Sequence, residues 1–194
     1  MSKLQRPLVA SPEITNNLQI IPSPTLKLED LDPLLTNPAN FLNRGKLGQR
    51  AGIIPYYLDP VTKQPIYLVG FAQGKYSDFG GGCTQRETIM DCALREYTEE
   101  TRGVLDLGDG IVTHIYVTGK KRTHQVILMV YVSPIPSNIN KIFRSIKPQS
   151  RAEREMERVE LLSLQDLYSL FLSYKLSDSL TSVFKLISPK RLAL

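Results

Sequence analysis

The sequence predicts an α/β protein of the mixed α+β kind, in which helices flank a mixed β-sheet. Two pairs of β-rich runs support this prediction: "AGIIPYYLD" with "PIYLVGFA", and "GIVTHIYVTG" with "THQVILMVYV". Helical patterns lie between and after these pairs, but they do not alternate regularly with the strands as in a doubly wound sheet. We therefore expect a mixed sheet that is flanked by helices.

Residues 1–47 form a separate segment in this prediction, followed by a folded domain over 48–194. Six of the chain's 13 prolines fall in the first segment, which excludes a long helix there. We expect an extended arm that docks on the domain, with a short turn of helix at "LEDLDPLL". Such an arm could bind a partner or exchange between the subunits of a homodimer. The plainer alternative is a tail without such a role.

The folded domain begins with two strands joined by a hairpin turn at "PVTKQ". Thr84 and Glu87 have the spacing of a capping box and predict the start of a helix. Apolar residues at helical spacing then form a stripe along it, at Ile89, Met90, Ala93, Leu94 and Tyr97. After the second hairpin, the polar region 137–150 predicts a loop or a short helix. "EREMERVELLSLQDLYSLF" predicts a strand entering a helix near Ser163, and "DSLTSVFKLI" a final helix.

The composition is that of a globular protein, with 42% hydrophobic and 22% charged residues. The longest apolar run, "VILMVYV", is much shorter than a membrane span, so no membrane association is expected. The two cysteines, Cys83 and Cys92, argue against a disulfide framework and against a cysteine zinc site. Their small number favours a reducing compartment, and we expect a cytoplasmic protein.

Charge is distributed unevenly along the chain. The net charge is +5, yet the stretch from Thr84 to Val104 holds five acidic and three basic residues. A basic protein with an acidic patch suits a polyanionic substrate that is delivered to a cation site. The alternative is a solvated basic surface without an anionic partner.

The acidic patch centres on Glu96, Glu99 and Glu100, which share one face of the predicted helix and repel one another. A hard divalent cation removes this repulsion, because Mg²⁺ prefers oxygen ligands and recruits phosphate oxygens as well. Three glycines, Gly80 to Gly82, precede the helix and allow the backbone to approach closely. The alternative for the cluster alone is a solvated charged face.

The stretch that contains these residues resembles the Nudix box, GX5EX7REUXEEXGU, in which U is aliphatic. Gly81, Glu87, Arg95 and the three glutamates fall in register. Two departures occur. Tyr97 takes an aliphatic position, and "TRGV" after Glu100 is one residue too long before Gly103, so we expect a remodelled helix end. The resemblance to the Nudix hydrolases covers about residues 50–170 and implies a Nudix-like α/β/α sandwich with a mixed β-sheet.

The resemblance also implies roles for the matching residues. Glu96, Glu99, Glu100 and the carbonyl of Gly80 would hold Mg²⁺ or Mn²⁺, and Arg95 would orient Glu96. Structural roles in the box fall to Gly81, Glu87 and Gly103. A carboxylate would take a proton from the attacking water, and in this family that base is either a box glutamate or an acid from a later loop. Glu155 is our candidate for the later acid, with Glu153 and Glu157 as neighbours, and the alternative is one more exposed charge.

The implied activity is cleavage of a pyrophosphate bond in a nucleoside diphosphate linked to another moiety. Arg50, Lys120, Lys121 and Arg122 are candidate substrate-binding residues, although the last three could equally form a solvated hairpin turn. A capped RNA end is the substrate that best suits the basic protein and its arm. Dinucleoside polyphosphates, ADP-ribose and nucleotide sugars are alternatives, and a Nudix-fold module that binds nucleotide or RNA without turnover is the rival from another class.

Overall fold

The computed structural model of the chain describes residues 18–27, 49–84, 87–120 and 123–187. Within them one sheet has eight strands. Their bounds are Leu18–Lys27 (β1), Arg50–Leu58 (β2), Pro65–Ala72 (β3), Lys75–Ser77 (β4), Phe79–Gly82 (β5), Ile111–Lys120 (β6), Thr123–Tyr131 (β7) and Arg158–Ser163 (β8). Both predicted strand pairs are present. Among the described residues no helix has the length and apolar character that crossing a bilayer requires.

The helices of the described residues are four α-helices and one short 3₁₀ turn. Their bounds are Ile89–Thr101 (α1), Ile139–Ser145 (α2), Leu164–Leu172 (α3) and Asp178–Ile187 (α4), with the 3₁₀ turn η1 at Ala152–Arg154. The short helix within 137–150, the helix after Ser163 and the final helix are all confirmed. Ser163 caps α3 through a reciprocal pair of hydrogen bonds with Asp166.

The sheet runs in the order β1-β6-β7-β2-β3-β4, while β5 pairs with β2 and β8 pairs with β3. The β2 and β7 strands are parallel, and the other strand pairs are antiparallel. The sheet is therefore mixed, as predicted.

Each face of the sheet packs against helices. Neighbouring residues of a strand enter opposite cores, as the two-residue period of a strand requires: Ile53 and Leu128 pack with α1 and α2, whereas Ile54 and Met129 pack with α3 and α4. Hydrophobic burial on both faces thus stabilises three layers, and the predicted α/β/α sandwich is confirmed.

The β2 strand changes partners along its length. Its end pairs with β3 from Tyr56 to Leu58, whereas its start pairs with β5, so that Gly52 lies opposite Gly80. The hairpin at "PVTKQ" is confirmed, but its antiparallel pairing covers only the end of β2. This change of partner places the three-glycine strand β5 at the centre of the molecule, beside α1.

The start of α1 differs from the prediction. Thr88, not Thr84, is the N-cap: its hydroxyl accepts from the Asp91 amide, and the Asp91 carboxylate accepts from the Thr88 amide. Glu87 lies before the helix, whose first residue is Ile89. Its carboxylate accepts from the Thr84 amide, as in one half of the predicted capping box, and also from Arg95. Four residues of the apolar stripe predicted for this helix are buried, and the fifth, Leu94, is partly buried against the same core.

One part of the predicted arm joins the sheet, since β1 pairs with β6 in antiparallel register, Leu18 opposite Thr118. The segment "LEDLDPLL", for which a short helix was predicted, lies outside the described residues. The division into an arm and a domain therefore stays a prediction.

Candidate active site

The glycine strand β5 lies directly against the acidic face of α1. A Cβ atom at position 81 would overlap the carboxylate of Glu96, and one at position 80 would meet the backbone of Ala51 and Gly52. The amide of Gly80 donates to Glu100 Oε2 over 2.7 Å. The backbone therefore leaves no room for a side chain at Gly80, a Cβ at Gly81 would displace the Glu96 carboxylate, and one at Gly82 would meet open space.

The guanidinium of Arg95 gathers the acids of this site. Its Nε donates to Glu87 Oε1 over 2.5 Å, and its Nη1 donates to Glu96 Oε1 over 2.7 Å and to Glu99 Oε2 over 3.1 Å. Its Nη2 reaches the carbonyl of Gly82, also over 3.1 Å. One cation thus holds three carboxylates and the glycine strand together, and it lowers the pKa of Glu87 to about 2.

Deeper in the site the acids lack sufficient counter-charge. Burial raises the pKa of Glu100 to about 8, and the negative charge of Asp78 adds to the effect. Burial also raises the pKa of Glu96. The Glu99 side chain is 33% exposed. A group of hard oxygen donors that is short of positive charge fits a divalent cation in its chemistry.

The carboxylate oxygens of Glu96, Glu99 and Glu100 do not converge on one point, as they would around a bound cation. Within the described part of the chain, no three carboxylate, imidazole or thiolate groups converge as in a metal site. Glu96 and Glu99 are held by Arg95, and Glu100 by the Gly80 amide. The Gly80 carbonyl, which the resemblance makes a metal ligand, accepts from Arg50 Nη2 over 2.7 Å. Binding a cation therefore requires these side chains to turn, which the partly exposed Glu99 and Arg95 allow.

Arg50 belongs to a buried network that the sequence did not indicate. Its guanidinium forms a bidentate pair with Asp78, at 2.5 Å from Nη1 to Oδ2 and 3.1 Å from Nη2 to Oδ1. Asp78 is fully buried and also accepts from Ser179 of α4 over 2.6 Å. The available signal was an acid directly before a glycine-rich strand, in "SDFGGG". Arg50, proposed from the sequence to bind substrate, thus lies in the site but is engaged by Asp78.

The candidate base lies on the segment that leads from η1 to β8. Glu155 is exposed, and within the described residues its carboxylate makes no hydrogen bond or ion pair. Its two neighbours differ: Glu153 accepts from the Gln149 amide over 2.6 Å, and Glu157 accepts from the Gln73 amide over 3.0 Å. Because η1 packs against α1, Glu155 is carried on an element adjoining the acidic helix.

The end of α1 differs from the expected insertion. Counted from Glu100, the Nudix pattern places glycine at position 102, and Arg102 adopts the left-handed conformation there, with φ 54°. Gly103 follows with φ 63°, and its amide donates to the Thr98 carbonyl. This bond and the one from the Arg102 amide to the Glu99 carbonyl form a Schellman motif at the end of the helix. The helix thus ends where the pattern requires, with arginine in the place of glycine.

The two cysteines form a disulfide, contrary to the expectation of free thiols. Cys83 follows β5 and Cys92 lies in the first turns of α1, and their Cα atoms are 5.2 Å apart. The geometry excludes both cysteines as free nucleophiles. It also removes the argument that the cysteine count gave for a reducing compartment, so the cytoplasmic location stays a prediction.

The predicted basic hairpin tip is described only in part. Lys120 ends β6 and pairs with Thr123 across the turn. Lys121 and Arg122 lie outside the described residues, and the Lys120 side chain is not described. A role for the three residues in substrate binding therefore stays a prediction.

Comparisons with known proteins give matches among solved structures. No protein-family model matches the chain, and no curated protein matches it. An Ap4A hydrolase from C. elegans, in a binary complex, is 12% identical; the alignment covers 73% of this chain and 96% of that one, with a TM-score of 0.48.

Two bacterial structures give similar values. A mutT/nudix family protein from Listeria innocua is 15% identical over 71% of this chain and 89% of that one, with a TM-score of 0.47. A MutT/nudix family protein from Enterococcus faecalis is 16% identical over 61% of this chain and 44% of that one, with a TM-score of 0.43. The family named for these two structures is the one whose box the sequence resembles.

Proposed function

We propose that this chain is a metal-dependent Nudix hydrolase that cleaves a pyrophosphate bond in a nucleoside diphosphate linked to another moiety. The observation that carries the proposal is the Arg95 guanidinium, which holds Glu87, Glu96 and Glu99 beside the glycine strand. A solvated helix face would leave these carboxylates exposed and apart. Instead the Glu96 side chain is only 14% exposed and lies against Gly81.

Glu96, Glu99 and Glu100 would hold Mg²⁺ or Mn²⁺, joined by the Gly80 carbonyl when Arg50 releases it. Such a cation, when bound, neutralises diphosphate charge and acidifies water. The chain's own residues supply the rest. Arg95 orients Glu96 and Glu99, and the amide of Gly80 fixes Glu100.

Glu155 is the proposed general base, which takes the proton of the water that attacks phosphorus. One feature distinguishes it from its neighbours, and a second supports its proximity to the acidic helix. Its carboxylate is exposed and unengaged, whereas those of Glu153 and Glu157 accept from backbone amides. It also follows η1, which packs on α1. Attack of water breaks one phosphoanhydride bond and yields two phosphorylated products.

Within this class we propose a capped RNA end as the substrate. The supporting feature is charge: a net +5 surrounds an acidic stretch, which suits a polyanion larger than a single nucleotide. The basic residues at 120–122 would extend such a surface. Dinucleoside polyphosphates, ADP-ribose and nucleotide sugars are the alternatives that a substrate assay must separate from it.

The test is a panel of these substrates, assayed with Mg²⁺, with Mn²⁺ and with a chelator. We expect turnover of at least one member with metal, none in chelator, and recovery when metal is restored. Glu99→Gln should lower kcat by at least about a hundredfold, since it removes a charged oxygen donor from the site. Asp109→Asn is the matched control, because it removes an exposed carboxylate outside the site.

Two outcomes would contradict the proposal. Full activity in chelator, or an unchanged kcat for Glu99→Gln at saturating Mg²⁺, would remove the metal assignment. Binding of capped RNA or nucleotide without turnover of any panel member would instead favour the binding module.

A further inference from the structure

Arg102 ends the acidic helix α1 with a left-handed backbone conformation, which is unfavourable for any residue other than glycine. A non-glycine residue in the left-handed region costs about 1 kcal/mol or more, and the Nudix pattern has glycine at this position. Arginine placed there needs a compensating interaction, which its side chain supplies.

The Arg102 guanidinium binds four backbone carbonyls of the segment between β7 and β8. Its Nε donates to the carbonyl oxygen of Glu153 over 3.0 Å, and its Nη2 donates to that of Met156, also over 3.0 Å. Its Nη1 lies 3.2 Å from the Ile146 carbonyl and 3.4 Å from that of Phe143. The guanidinium also stacks on the Phe143 ring, at 4.0 Å from the centroid. Only a planar group with five N–H donors can bridge so many acceptors.

The carbonyls that Arg102 holds flank the proposed base. Those of Glu153 and Met156 lie on either side of Glu155, whose own side chain has no partner within the described residues. The position of Glu155 relative to α1 is therefore set by its backbone, and Arg102 connects that backbone to the helix that carries Glu96, Glu99 and Glu100.

We propose that Arg102 is a positioning residue, which sets the distance between the base on the 143–157 segment and the acidic face of α1. The inference rests on the proposed function, because it needs Glu155 as the base. The inference goes beyond the proposed function because it assigns a role to Arg102, the position at which this chain departs from the Nudix pattern.

Arg102→Gly is the most informative variant, because it relieves the left-handed backbone while it removes the guanidinium. We expect kcat to fall by about tenfold to a hundredfold, the effect of displacing a reacting group by about 1 Å. KM and the Kd for Mn²⁺ should be unchanged, because Glu96, Glu99 and Glu100 are untouched. The kcat of Arg102→Lys should stay below that of the wild type. Added guanidinium ion should restore part of the activity of Arg102→Gly.

A double-mutant cycle distinguishes positioning from a general loss of structure. If Arg102 acts through Glu155, Arg102→Gly combined with Glu155→Gln should be no slower than Glu155→Gln alone. Arg144→Ala, which removes an exposed arginine of the same segment, should leave kcat and KM unchanged.

Hydrogen exchange gives a readout that does not depend on activity. In Arg102→Gly the amides of 143–157 should exchange faster, while those of α1 keep their protection. Additive losses in the cycle, or an unchanged kcat despite faster exchange, would overturn the positioning role while the hydrolase assignment stands. A wild-type protein that turns over no substrate with metal would overturn both.

Discussion

Arg95 and Arg50 show how much of the site depends on two guanidinium groups. Arg95 holds Glu87, Glu96 and Glu99, and Arg50 holds Asp78 and the Gly80 carbonyl. The box pattern indicated the contact between Arg95 and Glu96. It gave no sign of the Arg50 pair, because that contact joins β2 to residues 28 or 30 positions later and depends on strand pairing.

The ion pair of Glu87 predicts how stability depends on pH. Arg95 lowers the pKa of Glu87 to about 2, below its usual value near 4.5. The folded state therefore gains stability from this pair above pH 4.5, and loses it as the pH falls toward 2. We expect the free energy of unfolding of the wild type to decrease more steeply over this window than that of Glu87→Gln.

Urea unfolding between pH 2 and pH 6 measures this difference directly, with metal absent so that the cation site does not contribute. Asp109→Asn, an exposed carboxylate, serves as the control and should follow the wild type. Parallel wild-type and Glu87→Gln curves across the window would show that the pair contributes nothing to stability.

The strands and the later helices could be predicted because their signals are local. Alternating or continuous apolar residues indicated β2, β3, β6 and β7, and the stretch "LQDLYSLF" after Ser163 indicated α3. The start of α1 was predicted four residues too early, because Thr84 and Glu87 have capping-box spacing as well. Thr88 and Asp91 have the same spacing, and they form the complete reciprocal cap in the structure, next to the first helical residue Ile89.

The disulfide fastens the start of α1 to the end of β5, and predicts a measurable loss of stability on reduction. For a bridge that spans nine positions, closure of the unfolded chain contributes about 2–3 kcal/mol. We expect a reductant to lower the unfolding free energy of the wild type by this amount. Cys83→Ala should begin at the lower value and show no further response to the reductant.

Thiol titration of the unfolded protein provides the complementary measurement. Without reductant it should detect no free thiol, and with reductant two. Two free thiols in the untreated protein, or a stability that does not respond to reductant, would contradict the disulfide. The sequence could not predict this bond, because two cysteines separated by nine positions can lie near each other or far apart.

At the scale of the whole molecule, the sheet connects the arm, the site and the final helix. The β1 strand of the arm extends the sheet beside β6, and Ser179 of α4 reaches Asp78 next to the glycine strand. Deleting residues 1–45 would therefore remove a strand as well as any partner-binding segment. A deletion that tests the arm should therefore remove only residues after Lys27, so that the β1 strand stays in the protein.

The central claim is that the acidic face of α1 holds a divalent cation and thereby supports pyrophosphate hydrolysis. The most direct test is a crystal structure of the protein grown with Mn²⁺, with anomalous data collected to locate the ion. We predict an anomalous peak bounded by oxygens of Glu96, Glu99 and Glu100, with Glu99 turned away from Arg95. No peak at this face at saturating Mn²⁺, with Arg95 still holding Glu96 and Glu99, would contradict it.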